Sequence, residues 1–128
     1  MRVLLDTQAF IYAIDTTLHH QLPAKARSAL LDPKNIREIS AVSISEIALK
    51  AARRRLGITE DQVRQGLRTL QAAILPVKAQ HVFALFQLPM HHSDPIDRMI
   101  IAAALVENIP VISGDDVFKR YEGLKVIW

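Results

Sequence analysis

The sequence predicts an α/β protein, a three-layer sandwich built on a mostly parallel central sheet. Three observations carry that prediction. Short runs rich in Val, Ile and Leu recur along the chain, helical patterns separate them, and most of the runs are apolar throughout, as strands covered on both faces are. At 128 residues, half of them hydrophobic, the chain has the size of one domain with one core, and a mean hydropathy of +0.15 excludes a disordered chain.

Arg2 to Leu5 reads as a buried strand that stops at Asp6, and Ala9 to Ile14 as the start of a helix. Pro23 to Leu31 is helical, with Ala26, Ala29 and Leu30 at helical spacing, until Asp32-Pro33 breaks it. Ile36 to Val42 is extended. Ser43 is the expected cap of a long helix in which Ile44, Ile47, Ala48 and Ala51 form the apolar stripe, with Gly57 closing it. Thr59 opens a further helix to about Ala73. Ile74 to Val77 is a weak strand broken by Pro76, and Ala79 to Gln87 is helical. Asp94-Pro95 starts a helix to Glu107, Ile109 to Ser113 is a strand, Asp115 to Tyr121 a short helix, and Val126 to Trp128 a final strand. No linker, repeat or low-complexity segment divides 1–128, which is read as a single domain.

Composition narrows the chemistry. There is no Cys, so disulfides, thiolate zinc sites and cysteine nucleophiles are excluded, and any metal must be held by oxygen or imidazole. Only Val3-Leu4-Leu5 separates Arg2 from Asp6, too short for a signal peptide, and the longest apolar run, Met99 to Val106, is too short to span a bilayer. The expectation is a cytoplasmic protein with no membrane association. Sixteen Lys and Arg against thirteen Asp and Glu give a net charge of +3 and a pI near 9.5, which permits an anionic partner without demanding one.

In a parallel α/β sheet, ligands bind beyond the carboxyl ends of the strands. The residues at those ends are acids: Asp6 after the first strand, Glu46 in the turn after the second, and Asp115 with Asp116 after the strand Ile109 to Ser113. Asp94 and Asp97 add two more at the mouth of a helix that is apolar on all sides. Carboxylates brought within a few ångström repel one another and stay ionised only around a cation. A hard dication such as Mg²⁺ or Mn²⁺ suits oxygen ligands and supports phosphodiester hydrolysis by metal-activated water.

Four segments carry a family resemblance: Leu4-Leu5-Asp6-Thr7; Ser40-Ala41-Val42-Ser43-Ile44-Ser45-Glu46-Ile47; Asp94-Pro95-Ile96-Asp97-Arg98 with Ile101-Ala102; and Val111-Ile112-Ser113-Gly114-Asp115 with Phe118. In this order and spacing, across essentially the whole chain, they resemble the PIN-domain nucleases, in particular the VapC-type toxins of bacterial toxin–antitoxin pairs. The resemblance implies a Mg²⁺- or Mn²⁺-dependent endoribonuclease, often acting on a tRNA or ribosomal RNA loop and leaving 5′-phosphate and 3′-hydroxyl ends. It also implies a homodimer silenced by a cognate antitoxin. On that pattern the metal-binding acids are Asp6, Glu46, Asp97 and Asp115, with Asp94 auxiliary. The chain departs from the pattern at Gln8, where related toxins often have His, and at Ser45, where an aromatic commonly precedes the second acid; both bear on substrate preference.

Each acid has a second reading. Asp6 is also a turn former, Glu46 a first-turn acid paired with Lys50, and Asp94 an N-cap before Pro95. Of Asp115 and Asp116, one is expected to cap the short helix and the other, Asp115 by preference, to face the metal. Thr7 serves either as an N-cap or to orient the metal and its waters. Lys50, Arg53 and Arg54 follow Glu46 at i+4, i+7 and i+8 and form either a phosphate track or a solvated face. His19-His20 and His91-His92 lack any zinc-ligand spacing, so histidine ligation is not expected, and Tyr12 and Trp128 are too isolated to form a stacking platform. The alternatives to a nuclease are a PIN-like RNA- or protein-binding module without turnover, and an aspartyl-phosphate receiver or phosphatase with Asp6 as phosphoacceptor.

Overall fold

The computed structural model describes residues 1–128. Five strands, β1 (Arg2–Leu5), β2 (Ile36–Ser40), β3 (Ala73–Leu75), β4 (Val111–Ile112) and β5 (Val126–Ile127), pair in parallel in the order β3-β2-β1-β4-β5. The connections are α1 (Thr7–Ile14), α2 (Ala24–Leu31), α3 (Ala41–Ala52), α4 (Glu60–Leu70), α5 (Ala79–Ala84) and α6 (Pro95–Glu107), with 3-10 turns at Thr16–Gln21 and Asp116–Arg120. The chain winds outward from β1 through β2 to β3, then returns to the other side of β1 for β4 and β5. The winding therefore reverses between β1 and β4, the place where sheets of this kind leave a crevice.

β1 shows why its run is apolar without alternation. Val3 and Leu5 enter one buried cluster, with Ala9, Phe10, Leu22, Ala26, Ile47 and Val63, while Leu4 enters another, with Ile100, Ile101, Val111 and Phe118. Successive side chains point to opposite faces, and helices cover both. The three-layer sandwich predicted from sequence is what forms. α6 is apolar all round because it lies in the second cluster with Ile100, Ile101, Ala103 and Ala104 buried, and it starts and stops where Asp94-Pro95 and Glu107 predict.

β2 is the exception among the strands: it buries Arg37 and Glu38. Arg37 donates to the carbonyls of Leu70, Leu30 and Asp32 at 2.7, 3.0 and 3.1 Å, and Glu38 accepts two bonds from Arg2, so neither charge is left unpaired. Arg2 also bridges to Glu107, which Lys78 and the buried His81 approach at 3.2 and 2.9 Å. The hydrogen bond from His81 above all, with Lys78 and Arg2 adding and burial opposing, pulls the Glu107 carboxyl down to about 2. This network ties the start of β1 to the end of α6, at the edge of the sheet opposite the strands' carboxyl ends.

Several boundaries differ from expectation for local reasons. The chain turns from β2 straight into α3, and the cap is Ser40, whose Oγ accepts from Val42 N at 3.1 Å; Ser43 is a fully buried helical residue. α3 ends at Ala52, not at Gly57: Arg54 takes the left-handed conformation (φ 55°), and Arg55 N bonds back to Lys50 O at 2.9 Å. Thr59 does open α4, through a reciprocal capping box with Gln62. Asp15 caps a 3-10 turn at Thr16–Gln21 that the sequence did not signal.

α1 and α4 touch where Gly66 faces Ile14. A Cβ on Gly66 would stand 2.3 Å from Ile14 Cγ2, closer than any relaxed contact. Alanine at this position favours the helix by about 1 kcal/mol but overpacks the contact by about 1–3 kcal/mol. Gly66→Ala is therefore expected to lower the thermal midpoint, as differential scanning calorimetry would show.

Candidate metal centre

The crevice at the β1/β4 reversal is a cleft of about 410 Å³ lined by Asp6, Thr7, Gln8, Tyr12, Glu46, Lys50, Asp94, Asp97, Gly114, Asp115 and Trp128, among others. Four segments far apart in sequence deliver its acids. Asp6 is the residue between β1 and α1 and is buried. Its Oδ1 caps α1 by accepting from Ala9 N at 2.7 Å. Thr7 is the first residue of α1, and its hydroxyl donates to Ser43 Oγ at 2.9 Å, a buried tie from α1 to α3. That tie sets the face of α3 that carries Glu46 against the cleft.

Glu46 lies in the second turn of α3, because the helix starts earlier than predicted, and its carboxylate is 3.3 Å from Lys50 Nζ. The pair with Lys50 forms, one helical turn apart at the cleft wall, while the expected first-turn position does not. Asp94 caps α6, accepting from Ile96 N and Asp97 N at 2.8 and 3.2 Å, and it also lines the cleft. Asp115 combines two roles that the sequence divided between Asp115 and Asp116. Its Oδ1 caps the 3-10 turn at Val117 N (3.0 Å), and its Oδ2 faces the cleft. Asp116 points to solvent and pairs with Lys119.

The cationic track is shorter than expected. Lys50 lines the cleft, but α3 stops before Arg53 and Arg54, so the i+7 and i+8 positions are not on a continuing helical face. Both arginines are exposed and neither lines the cleft.

His92 is the residue that sequence spacing missed. Its Nε2 lies 2.8 Å from Asp115 Oδ2 and 3.0 Å from Asp97 Oδ2, and ligand atoms of all three residues fall within 4.8 Å of one another. Its Nδ1 accepts from Asp94 N at 3.1 Å. With Nδ1 used as an acceptor, the proton sits on Nε2, so the ring presents a donor to the two carboxylates and not a lone pair to a metal. The loop that holds it is pinned by Arg98, which donates to the carbonyls of Leu88, Pro89 and His92, and by Tyr121, whose hydroxyl accepts from His92 N at 2.9 Å. No short-range motif encodes this arrangement; it exists only once α6 and the 3-10 turn are packed. Ser113, also unsignalled, is buried between Asp6 and Asp115 and accepts from Asp115 N at 3.1 Å.

The electrostatics are those of crowded, partly desolvated acids. Burial pushes the Asp6 carboxyl up to about 6, against hydrogen bonds from Ser113 and Ala9 and with added repulsion from Asp115 and Glu46. Burial likewise drives Asp97 up to about 7, reinforced by Asp94, opposed by His92, and raised further by Asp6 and Glu46. The donor set is all hard oxygen, and Lys50 is the single Lys or Arg among the lining residues. These residues fit a hard dication far better than a soft or thiolate-seeking metal. An aspartyl-phosphate site calls for a Lys at the end of a later strand, and the residues after β4 are Ser113, Gly114 and Asp115.

A doubly wound parallel sheet with a carboxylate cleft at its winding reversal defines the class: an α/β protein whose acids gather at the carboxyl ends of its strands. The PIN-domain family model matches residues 3–124, and the chain belongs to that family. Among solved structures it is similar to VapBC2 from Rickettsia felis bound to a DNA fragment from their promoter, with a TM-score of 0.73, 20% identity, and coverage of 98% of this chain and 97% of that one. It is also similar to DNA-bound VapBC from Salmonella typhimurium, with a TM-score of 0.66, 18% identity and coverage of 98% and 96%. A third is VapBC-5 from Mycobacterium tuberculosis, a member of the VapBC family of toxin–antitoxin systems, with a TM-score of 0.60, 22% identity and coverage of 98% and 97%. A search of curated proteins found no match.

The raised carboxyls make a signed prediction. Asp6 and Asp97 bind protons more tightly folded than unfolded, so their contribution to stability is complete below about pH 4 and is lost as pH rises through about 6 to 7. In EDTA, Asp97→Asn is expected to melt on the order of 5 °C above wild type at pH 7.5 and close to it at pH 4.5. Mn²⁺ is expected to stabilise wild type more at pH 7.5 than at pH 5. Thermal melts across pH check both.

Proposed function

We propose that the chain is a Mg²⁺- or Mn²⁺-dependent endoribonuclease and the toxin of a toxin–antitoxin pair, with a tRNA or ribosomal RNA loop as its substrate. The observation that carries the reading is the meeting of Asp6, Glu46, Asp97 and Asp115 in one cleft with Asp94 beside them and Lys50 at the wall. Asp6, Glu46, Asp97 and Asp115 would hold the ion. When bound, it supplies Lewis-acid activation of the phosphodiester and of water. The protein's own groups hold these acids in place: Asp6 is fixed by the α1 cap, Asp115 by the 3-10 cap, and Asp97 and Asp115 by the Nε2 proton of His92. Lys50 gives the RNA backbone a positive contact beside the acids. No helix is long and apolar enough to cross a membrane, and the reading places the activity in the cytoplasm, with its RNA.

The partner reading follows from the surface. The relatives above are VapBC toxin–antitoxin proteins. An apolar groove of about 700 Å³ runs between α3 and α4, lined by Ile44, Ala48, Ala51, Val63 and Leu67. It shares Ile47 and Leu56 with the acidic cleft. An antitoxin segment seated there would lead a basic side chain to the acids. A second copy of the chain is the occupant we assign to α5 and the turn after it, where Phe83 and Phe86 are exposed and stack at 6.4 Å beside Val82. Phe86→Asp is expected to convert dimer to monomer by light scattering; an unchanged mass overturns that assignment.

Cleavage tests the central reading. Wild type is expected to cut total RNA with Mg²⁺ or Mn²⁺ and to stop with EDTA, and Asp6→Asn to lose at least about 100-fold in rate while its circular dichroism is unchanged. Equal turnover by wild type and Asp6→Asn overturns the assignment. Metal-independent RNA binding without cleavage by wild type selects the binding-module reading.

A further inference from the structure

Trp128 and Tyr12 stand 116 positions apart in a chain with one Trp and two Tyr, yet both line the acidic cleft. Each is half-buried, with part of its ring packed against the core beneath α1 and the rest at the cleft. The position of Trp128 is built in. It follows β5, whose Ile127 pairs with Ile112, and Ser113 N donates to Ile127 O at 3.2 Å, so the indole is carried to the end of β4. There it lies against Gly114: a Cβ at that residue would be 2.6 Å from Trp128 Cε2, 2.7 Å from Cζ2 and 3.1 Å from Nε1. Only glycine lets the ring come this close to the backbone that leads into Asp115. Tyr12 comes from α1, one turn after Gln8, and both residues line the cleft.

Charge does not explain rings in this place. An aromatic face is the negative pole of its quadrupole and does nothing to offset carboxylates. What the rings add is a rigid flat apolar surface beside an otherwise polar site, and a nucleobase is the part of an RNA that such a surface takes, at little ordering cost to the protein. A cleft of about 410 Å³ is the scale of a small-molecule site and has room for a nucleotide. We propose that Trp128 and Tyr12 form a nucleobase-stacking subsite at the edge of the carboxylate centre, which takes the base next to the phosphate presented to the acids. The subsite rests on the nuclease reading above and adds to it the residues that hold the base.

The single tryptophan makes the test direct, because all indole emission reports on this site. The Asp6→Asn chain, in Mg²⁺, is titrated with fluorescein-labelled hexaadenylate and with a length-matched abasic ribose-phosphate hexamer, binding being followed by anisotropy; unlabelled polymers are used to follow Trp128 emission. Hexaadenylate is expected to bind about tenfold or more tightly than the abasic polymer and to quench the emission. Trp128→Ala is expected to bring hexaadenylate down to the abasic affinity, Trp128→Phe to stay within about threefold of the parent, and Tyr12→Ala to fall between. If Trp128→Ala fails to fold, quenching in the parent chain and the Trp128→Phe variant carry the test. Equal affinity for the two polymers, or bound hexaadenylate with unchanged emission, overturns the subsite and leaves the nuclease reading intact. Binding of neither polymer, together with no RNA cleavage by wild type, overturns both.

Discussion

Repulsion among carboxylates that share a cleft is the constraint to which the rest of this molecule is fitted. Asp6 is buried at the end of β1 with Asp115 and Glu46 near enough to raise its pKa, and Asp97 feels Asp94, Asp6 and Glu46. A fold gains nothing in stability from such a cluster by itself, since burial and like charge both disfavour ionisation. The core that tolerates it is elsewhere: two apolar layers on either side of β1 and β4, and an ion-pair network around Glu107 that ties the far edge together.

The cluster is held by an economical local device. Asp6 and Asp115 each give one carboxylate oxygen to backbone N–H groups at the start of a helix or 3-10 turn, and Asp94 does the same for α6. In Asp115 the second oxygen is seen facing His92 in the cleft. Capping thus fixes each rotamer through one oxygen and leaves the other for a side-chain partner, His92 in the case of Asp115. His92 completes the arrangement as a proton donor between Asp97 and Asp115, oriented through its other nitrogen by Asp94 N.

Much of this was legible in the sequence. The apolar strands and the caps at Asp94-Pro95 and Thr59 gave the layers and most element boundaries; the rule that parallel sheets bind at their carboxyl ends led to Asp6, Glu46, Asp115 and Asp116, and the family resemblance added Asp97. What was not legible depended on tertiary packing. The start of α3 at Ser40 was hidden because Ser43, the more obvious cap, is used to bond Thr7. Arg53 and Arg54 left the helical face because Arg54 takes a left-handed turn that a Gly would have advertised. The bonds of His92 and the presence of Tyr12 and Trp128 at one cleft involve partners more than ten residues apart, or a ring fixed by a strand's register, and no spacing rule reaches them.

The account stands on one claim, that these oxygens share a divalent ion. Crystals equilibrated with Mn²⁺ near neutral pH and measured at the manganese absorption edge test it without recourse to activity. The account predicts an anomalous peak within about 2.0–2.6 Å of carboxylate oxygens from at least two of Asp6, Glu46, Asp97 and Asp115. An empty cleft with the four side chains ordered and no lattice neighbour blocking it would contradict it.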